Sequence, residues 1–210
     1  MKTILLILSA LMMFSCAKKK PDAHYKVLII GDSISEGYTT QLQLMQLPSI
    51  DIIHNQNPGM DGTNARDTQH GVEQIDYWLD KAGDVDLVSY NQGMWDMCPD
   101  LPVTYHPVDQ YKINLGIIID KIQARGLRVI FMKNSYAPKN SCRAPYVDQY
   151  NEAAVEVMTA KGVLVYDLYT VAYENRDLLM NHDGYGDVHF TPAGFEKLAE
   201  YVLAAIQENL

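Results

Sequence analysis

Two short stretches, far apart in the chain, hold the residue types that acyl transfer needs. Ser33 stands in Lys26–Gly37, KVLIIGDSISEG, after the apolar run Val27–Ile30 and the pair Gly31-Asp32. His189 stands near the other end, in Gly186-Asp187-Val188-His189-Phe190-Thr191-Pro192. A serine hydroxyl becomes a nucleophile when a base takes its proton and a third group orients that base. The candidates are His24, His54, His70, His106, His182 and His189. His189 is set apart by a loop position just before a terminal helix pattern, with Asp187 close enough to meet its ring if the loop folds back. Asp-x-His is common by chance, so its weight comes from position and partners. The plainer reading of Gly31-Asp32-Ser33 is a strand followed by an ordinary helix-capping Asp or Ser.

For these groups to meet, the elements between them must bring both to one end of one sheet. Tyr25–Ile30 reads as a buried strand that breaks at Gly31, and Gly31 lets the backbone turn sharply. A serine there sits at the carboxyl end of a first parallel strand, where open α/β sheets bind ligands. Tyr38–Leu47 reads as a helix stopped by Pro48, and Ile50–His54 as a second strand. The loop Asn55–Asp67 leads to a helix capped by Asp67 or Thr68 and running to about Lys81, with Val72, Ile75, Trp78 and Leu79 on one face. Strands follow at Val85–Tyr90, Leu127–Met132 and Val163–Tyr166, with helices at Pro107–Ala124, Tyr146–Lys161 and Pro192–Asn209. Short apolar strands alternating with helices predict an α/β protein, a three-layer α/β/α sandwich with a five-stranded parallel sheet.

Composition narrows the function classes. The chain has 210 residues, 48% of them hydrophobic, and a formal net charge of −9, enough apolar material for one sizeable core. No basic run follows the N-terminus, so nucleic acid is not an expected partner. Residues 1–15 read as a signal peptide: Lys2, a short apolar run Ile4–Phe14, then Ser15. Residues 16–23 read as a tether and 24–210 as the domain. Met13-Phe14-Ser15-Cys16 resembles a bacterial lipoprotein signal with Cys16 as the lipidated residue; a plain cleaved signal is the alternative, because Met13 is not the preferred residue at its place. Either leader takes the domain out of the cytoplasm, as a membrane-anchored lipoprotein in the first case. Cys98 and Cys142 would then face an oxidising compartment and could pair.

The spacing of several segments resembles the SGNH (GDSL-type) hydrolase family. They are Gly31-Asp32-Ser33-Ile34-Ser35, Asn64-Ala65-Arg66-Asp67-Thr68, Asn91-Gln92-Gly93-Met94-Trp95-Asp96 and Asp187-Val188-His189-Phe190-Thr191-Pro192-Ala193-Gly194. The resemblance covers the whole domain and implies a flavodoxin-like fold, no metal and no organic cofactor. It implies Ser33 as nucleophile, His189 as general base and Asp187 as orienting acid. The family's acid is usually three residues before the histidine, where this chain has Gly186.

Two further departures fall on the oxyanion hole. Arg66 stands where the family has a glycine whose backbone N–H donates, a role Arg66 keeps only if its φ is ordinary; Gly59 and Gly62 are the alternatives. Trp95 stands where the family has a donor asparagine, so either Asn91 or the Trp95 indole supplies that bond, with Asn91 favoured. The expected hole is therefore Ser33, Arg66 and Asn91, and Asp32 and Trp95 are candidate substrate contacts.

The implied function is hydrolysis of small acyl esters, such as acetyl on a carbohydrate, by a monomer that touches membranes only through its lipid anchor. A lipase or thioesterase, and a non-catalytic glycan-binding lipoprotein on the same fold, are the rival readings. Asp84 and Asp86 read as a solvated strand edge, and His182-Asp183 as a loop able to hold a cation. The tyrosines Tyr136, Tyr146, Tyr150, Tyr166, Tyr169, Tyr173 and Tyr185 read mainly as packing, with some able to line a sugar crevice.

Overall fold

The computed structural model describes residues 23–60, 64–180 and 187–210. Its strands are β1 (Tyr25–Gly31), β2 (Ile50–His54), β3 (Leu87–Asn91), β4 (Val129–Met132) and β5 (Leu164–Tyr166). All pair in parallel, in the order β2-β1-β3-β4-β5. The chain steps outward from β1 to β2, then returns past β1 to β3. Loops leaving β1 and β3 therefore diverge, and a crevice opens at their carboxyl ends. The register pairs Gly31 with Asn91, so the ends of these two strands lie side by side at that crevice.

The helices are α1 (Ser33–Leu44), α2 (Thr68–Ala82), α3 (Val108–Ala124), α4 (Val147–Ala160), α5 (Leu168–Glu174) and α6 (Pro192–Glu208). α1 packs on α6 and α5 also packs on α6, while α2, α3 and α4 pack in series. The sheet lies between these two layers. Val27, Leu28, Ile29, Ile30, Leu87 and Val88 are all fully buried, as strands covered on both faces must be. Burying each such side chain contributes about 1.5–3 kcal/mol.

The expected strands and most helices fall within a few residues of the observed ones. The exception at the site is α1, which begins at Ser33 rather than Tyr38. Asp32 caps it by accepting from the Ile34 N–H at 3.0 Å, and Ile34, Ser35, Tyr38, Thr39 and Leu42 form its buried face. Gly37 does not break this helix. A Cβ there would lie 2.2 Å from the Phe195 ring, so the glycine is the contact through which α6 approaches α1. α5 and the following 3-10 turn, Arg176–Leu178, were not expected. α5 is seven residues long and buries only Leu168 and Ala172, too few for a periodic signal.

Cys98 and Cys142 form a disulfide with Cα atoms 5.4 Å apart, joining the segment after β3 to the segment after β4. No described helix is long and apolar enough to cross a membrane. The expected signal peptide, Cys16 and most of the tether lie outside the described residues.

Candidate active site

The turn that presents Ser33 is held from below. A Cβ on Gly31 would lie 2.5 Å from both the Asn91 carbonyl oxygen and Ser35 Oγ, so only glycine lets β1 end this close to β3. The Gly31 N–H donates to Asn55 Oδ1 at 2.9 Å. The Ser35 hydroxyl donates to the Asp32 carbonyl at 2.7 Å, and His54 Nε2 lies 2.7 Å from the same hydroxyl oxygen. His54 Nδ1 accepts from the Gln56 N–H at 3.1 Å, which leaves the ring proton on Nε2 to donate to Ser35. Burial pushes the His54 pKa down to about 3, so the ring is neutral at ordinary pH.

The loop carrying His189 is pinned on both sides of it. Met180 N–H donates to the His189 carbonyl and Thr191 N–H to the Leu178 carbonyl, both at 2.8 Å. Phe190, 1% exposed, anchors the loop, and Thr191 caps α6 by accepting from the Gly194 N–H at 3.3 Å. His189 Nε2 lies 2.7 Å from Ser33 Oγ. Its Nδ1 lies 2.5 Å from Asp187 Oδ1, which also accepts the His189 N–H at 2.9 Å. With the proton on Nδ1 facing the carboxylate, Nε2 is left as the acceptor for the serine proton. The structure thus brings Ser33, His189 and Asp187 into one hydrogen-bonded chain.

The expected oxyanion donors fare differently. Ser33 is the first residue of α1, so its N–H has no intrahelical acceptor, and it meets no other among the described residues. Arg66 has φ +53°, the left-handed conformation natural to the glycine it replaces, and not the ordinary one that its role assumed. That conformation costs a non-glycine residue about 1–2 kcal/mol. Its N–H donates to Asn64 Oδ1 at 2.8 Å.

Asn91 requires a correction. It is 1% exposed, and its side-chain amide donates to the Met132 carbonyl at 2.8 Å and the Lys133 carbonyl at 3.1 Å. Both N–H groups tie β3 to the end of β4, and neither is left for a ligand. Asp32 is corrected likewise: it is 1% exposed and caps α1, so it cannot touch a substrate. Burial pushes its carboxyl up to about 6, against the opposing pull of the Ile34 N–H, Arg143 and His189. Trp95 is partly exposed, and its indole N–H has no partner among the described residues. Gly59 is exposed, and a Cβ built on it would meet nothing within 4 Å, and Gly62 lies outside the described residues.

Three positioning residues escaped the sequence reading. Gln92 donates its amide to the Ala65 and Asp67 carbonyls at 2.5 and 2.6 Å, clamping the loop that carries Arg66, and accepts from the Tyr90 hydroxyl. Its place beside Asn91 in the third family-like segment was the available signal. His54 was weighed only as a base; its role beneath Ser35 depends on the β1–β2 pairing. Asp96 accepts from the Thr68 N–H at 3.0 Å and from the Thr68 hydroxyl, joining the block after β3 to the start of α2, and burial raises its carboxyl well above the usual range.

The remaining candidates are structural or outside the described residues. Asp86 Oδ2 accepts from the Lys26 N–H at 2.8 Å, tying the start of β1 to the approach to β3 at the amino end of the sheet. Tyr136, Tyr169 and Tyr173 pack ring against ring. Among the described residues, the one His/Cys/Asp/Glu group compact enough for a cation is Cys98, Asp100 and Cys142, and the disulfide occupies both of its sulfurs. His182, Asp183, Tyr185 and Gly186 are not among the described residues.

Residues 29–197 match the GDSL-like Lipase/Acylhydrolase family. No curated protein matches the chain. Among solved structures, it is similar to the lipase/acylhydrolase from Enterococcus faecalis, with 21% identity and a TM-score of 0.67 over 89% of this chain and 97% of that one. It is similar to an alpha/beta hydrolase enzyme from the metagenome of Lake Arreo, Spain, at 18% identity and TM-score 0.68, over 88% and 96% of the two chains. It is also similar to an acetylxylan esterase from Geobacillus stearothermophilus, at 18% identity and TM-score 0.66, over 88% and 94%. At these identities the likeness shows a shared fold.

Proposed function

Because this chain belongs to the GDSL-like lipase/acylhydrolase family and is a hydrolase acting on ester bonds, we propose that it works as a serine esterase through Ser33, His189 and Asp187. The observation that carries the reading is the pair of hydrogen bonds, Ser33–His189 at 2.7 Å and His189–Asp187 at 2.5 Å. Ser33 Oγ attacks the ester carbonyl while Nε2 takes its proton, and Asp187 stabilises the imidazolium that forms. The proton then passes to the leaving alcohol. Water, deprotonated by the same nitrogen, resolves the acyl-enzyme.

The developing oxyanion is held by the Ser33 N–H at the start of α1 and by the Trp95 indole N–H. Trp95 holds the place of the family's donor asparagine and has the unengaged donor that Asn91 lacks. The favoured substrate is a small acyl ester on a carbohydrate. The acetylxylan esterase likeness supports that choice, although it rests on the fold. The domain is read as an extracytoplasmic lipoprotein anchored through Cys16, and the Cys98–Cys142 disulfide supports an oxidising compartment.

Hydrolysis of p-nitrophenyl acetate by the residue 16–210 chain, compared with its Ser33→Ala variant, tests the reading. Turnover in the first and none above background in the second is the expected result. Equal rates in the two would remove Ser33 from the mechanism.

A further inference from the structure

The site has a cation that the triad does not use. Arg143 follows Cys142, whose disulfide to Cys98 fixes it against the segment after β3. Its Nε donates to the Met94 carbonyl at 2.6 Å, beside Trp95, which sets the plane of the guanidinium. Nη1 has one weak contact, Cys142 Sγ at 3.9 Å, and Nη2 has none. Among the described residues, no carboxylate lies within ion-pair distance of it. The charges that act on it from further off are Asp32, next to the nucleophile, and Asp187, behind the base. Neither is placed to fold onto it, since the Asp32 carboxyl is buried against the Ile34 N–H and Asp187 Oδ1 holds His189.

A partly buried guanidinium without an ion pair carries a desolvation cost that an anion would offset. Its free edge is a planar fork whose geometry matches a carboxylate. Resting on the esterase reading above, we propose that Arg143 forms an anion subsite beside Ser33, and that the ester hydrolysed carries a carboxylate near the scissile bond. Met94 and the disulfide hold the fork in place before the ligand arrives, which lowers the ordering cost of binding.

Two ester pairs test this on the disulfide-intact protein. In para-acetoxybenzoate and its methyl ester, the charge sits on the alcohol side. In p-nitrophenyl hemisuccinate and p-nitrophenyl butyrate, it sits on the acyl side. The wild type is expected to favour the charged member of one pair, which says where the carboxylate lies. Arg143→Gln should lower that charged-to-neutral ratio of kcat/KM by about ten- to a hundredfold, the range for a hydrogen bond to a charged group. Arg143→Lys should restore part of it. A ratio that neither variant moves, in either pair, overturns the proposal; equal loss on charged and neutral esters means that Arg143 only steadies Asp187.

Calorimetric binding of succinate and para-hydroxybenzoate to the Ser33→Ala protein, with and without Arg143→Gln, separates this from the esterase reading. Arg143-dependent anion binding without ester turnover keeps the subsite and removes the esterase. Turnover without Arg143-dependent preference or binding does the reverse.

Discussion

His54 Nε2 lies 2.7 Å from Ser35 Oγ, and that hydroxyl donates to the carbonyl of Asp32, the residue before the nucleophile. A buried neutral imidazole therefore braces the turn on which the chemistry depends. Its pKa falls from 6.5 to about 3 on folding. Above pH 6.5 neither folded nor unfolded chain protonates it, and its contribution to stability is complete. As pH falls below 6.5, the unfolded chain takes up a proton that the native ring refuses, and stability drops until about pH 3. At pH 4 the loss from this group is about 3 kcal/mol.

Urea unfolding at pH 7 and pH 4 should show wild type losing about 3 kcal/mol more than His54→Gln over that interval. Asp32 titrates with the opposite sign, since its raised carboxyl loses stability as pH rises through about 6. It is present in both proteins and cancels from the comparison. Parallel pH curves for the two would contradict the buried neutral imidazole.

Asn91 and Trp95 should separate stability from rate. Asn91→Ala leaves the Met132 and Lys133 carbonyls without their donors, at a cost of roughly 2–4 kcal/mol of stability. Trp95→Phe removes the indole N–H and keeps most of the ring. It should lower kcat by ~10²-fold with little change in KM or in melting temperature. An unchanged kcat in Trp95→Phe would remove the indole from the oxyanion hole.

The anchor has its own test. Expressed with its leader, the wild type should fractionate with membranes, and Cys16→Ser should move the protein to the soluble fraction. A wild type already soluble after signal cleavage would replace the lipoprotein reading with a plain secreted one.

How far the sequence carried depended on whether a feature was local. The run Val27–Ile30 ending at Gly31 marked β1 and the turn after it, because a fully buried parallel strand is a continuous apolar stretch. The plain reading of Gly31-Asp32-Ser33 holds, with Asp32 as cap and Ser33 as the first residue of the helix it caps, and the same turn leaves Ser33 Oγ 2.7 Å from His189 Nε2. The roles of Asn91 and Asp32 were misjudged for a shared reason: each is decided by what its side chain meets across the sheet or inside the turn. Asn91 reaches carbonyls 41 and 42 residues away. Arg143 gave no signal, since its place beside the site follows from the Cys98–Cys142 bridge, and spacing alone does not give the distance between two cysteines. The left-handed φ of Arg66 was equally hidden, because that conformation is usually announced by glycine.

Trapping the acyl-enzyme tests the account most directly. The protein is mixed with p-nitrophenyl acetate, quenched in acid during the first turnovers, digested and analysed by mass spectrometry. The account expects one acetyl group on the peptide containing Ser33, and none there in Ser33→Ala. Ester hydrolysis by the wild type with the acetyl group on a different residue, or with Ser33→Ala still turning over at the wild-type rate, would contradict it.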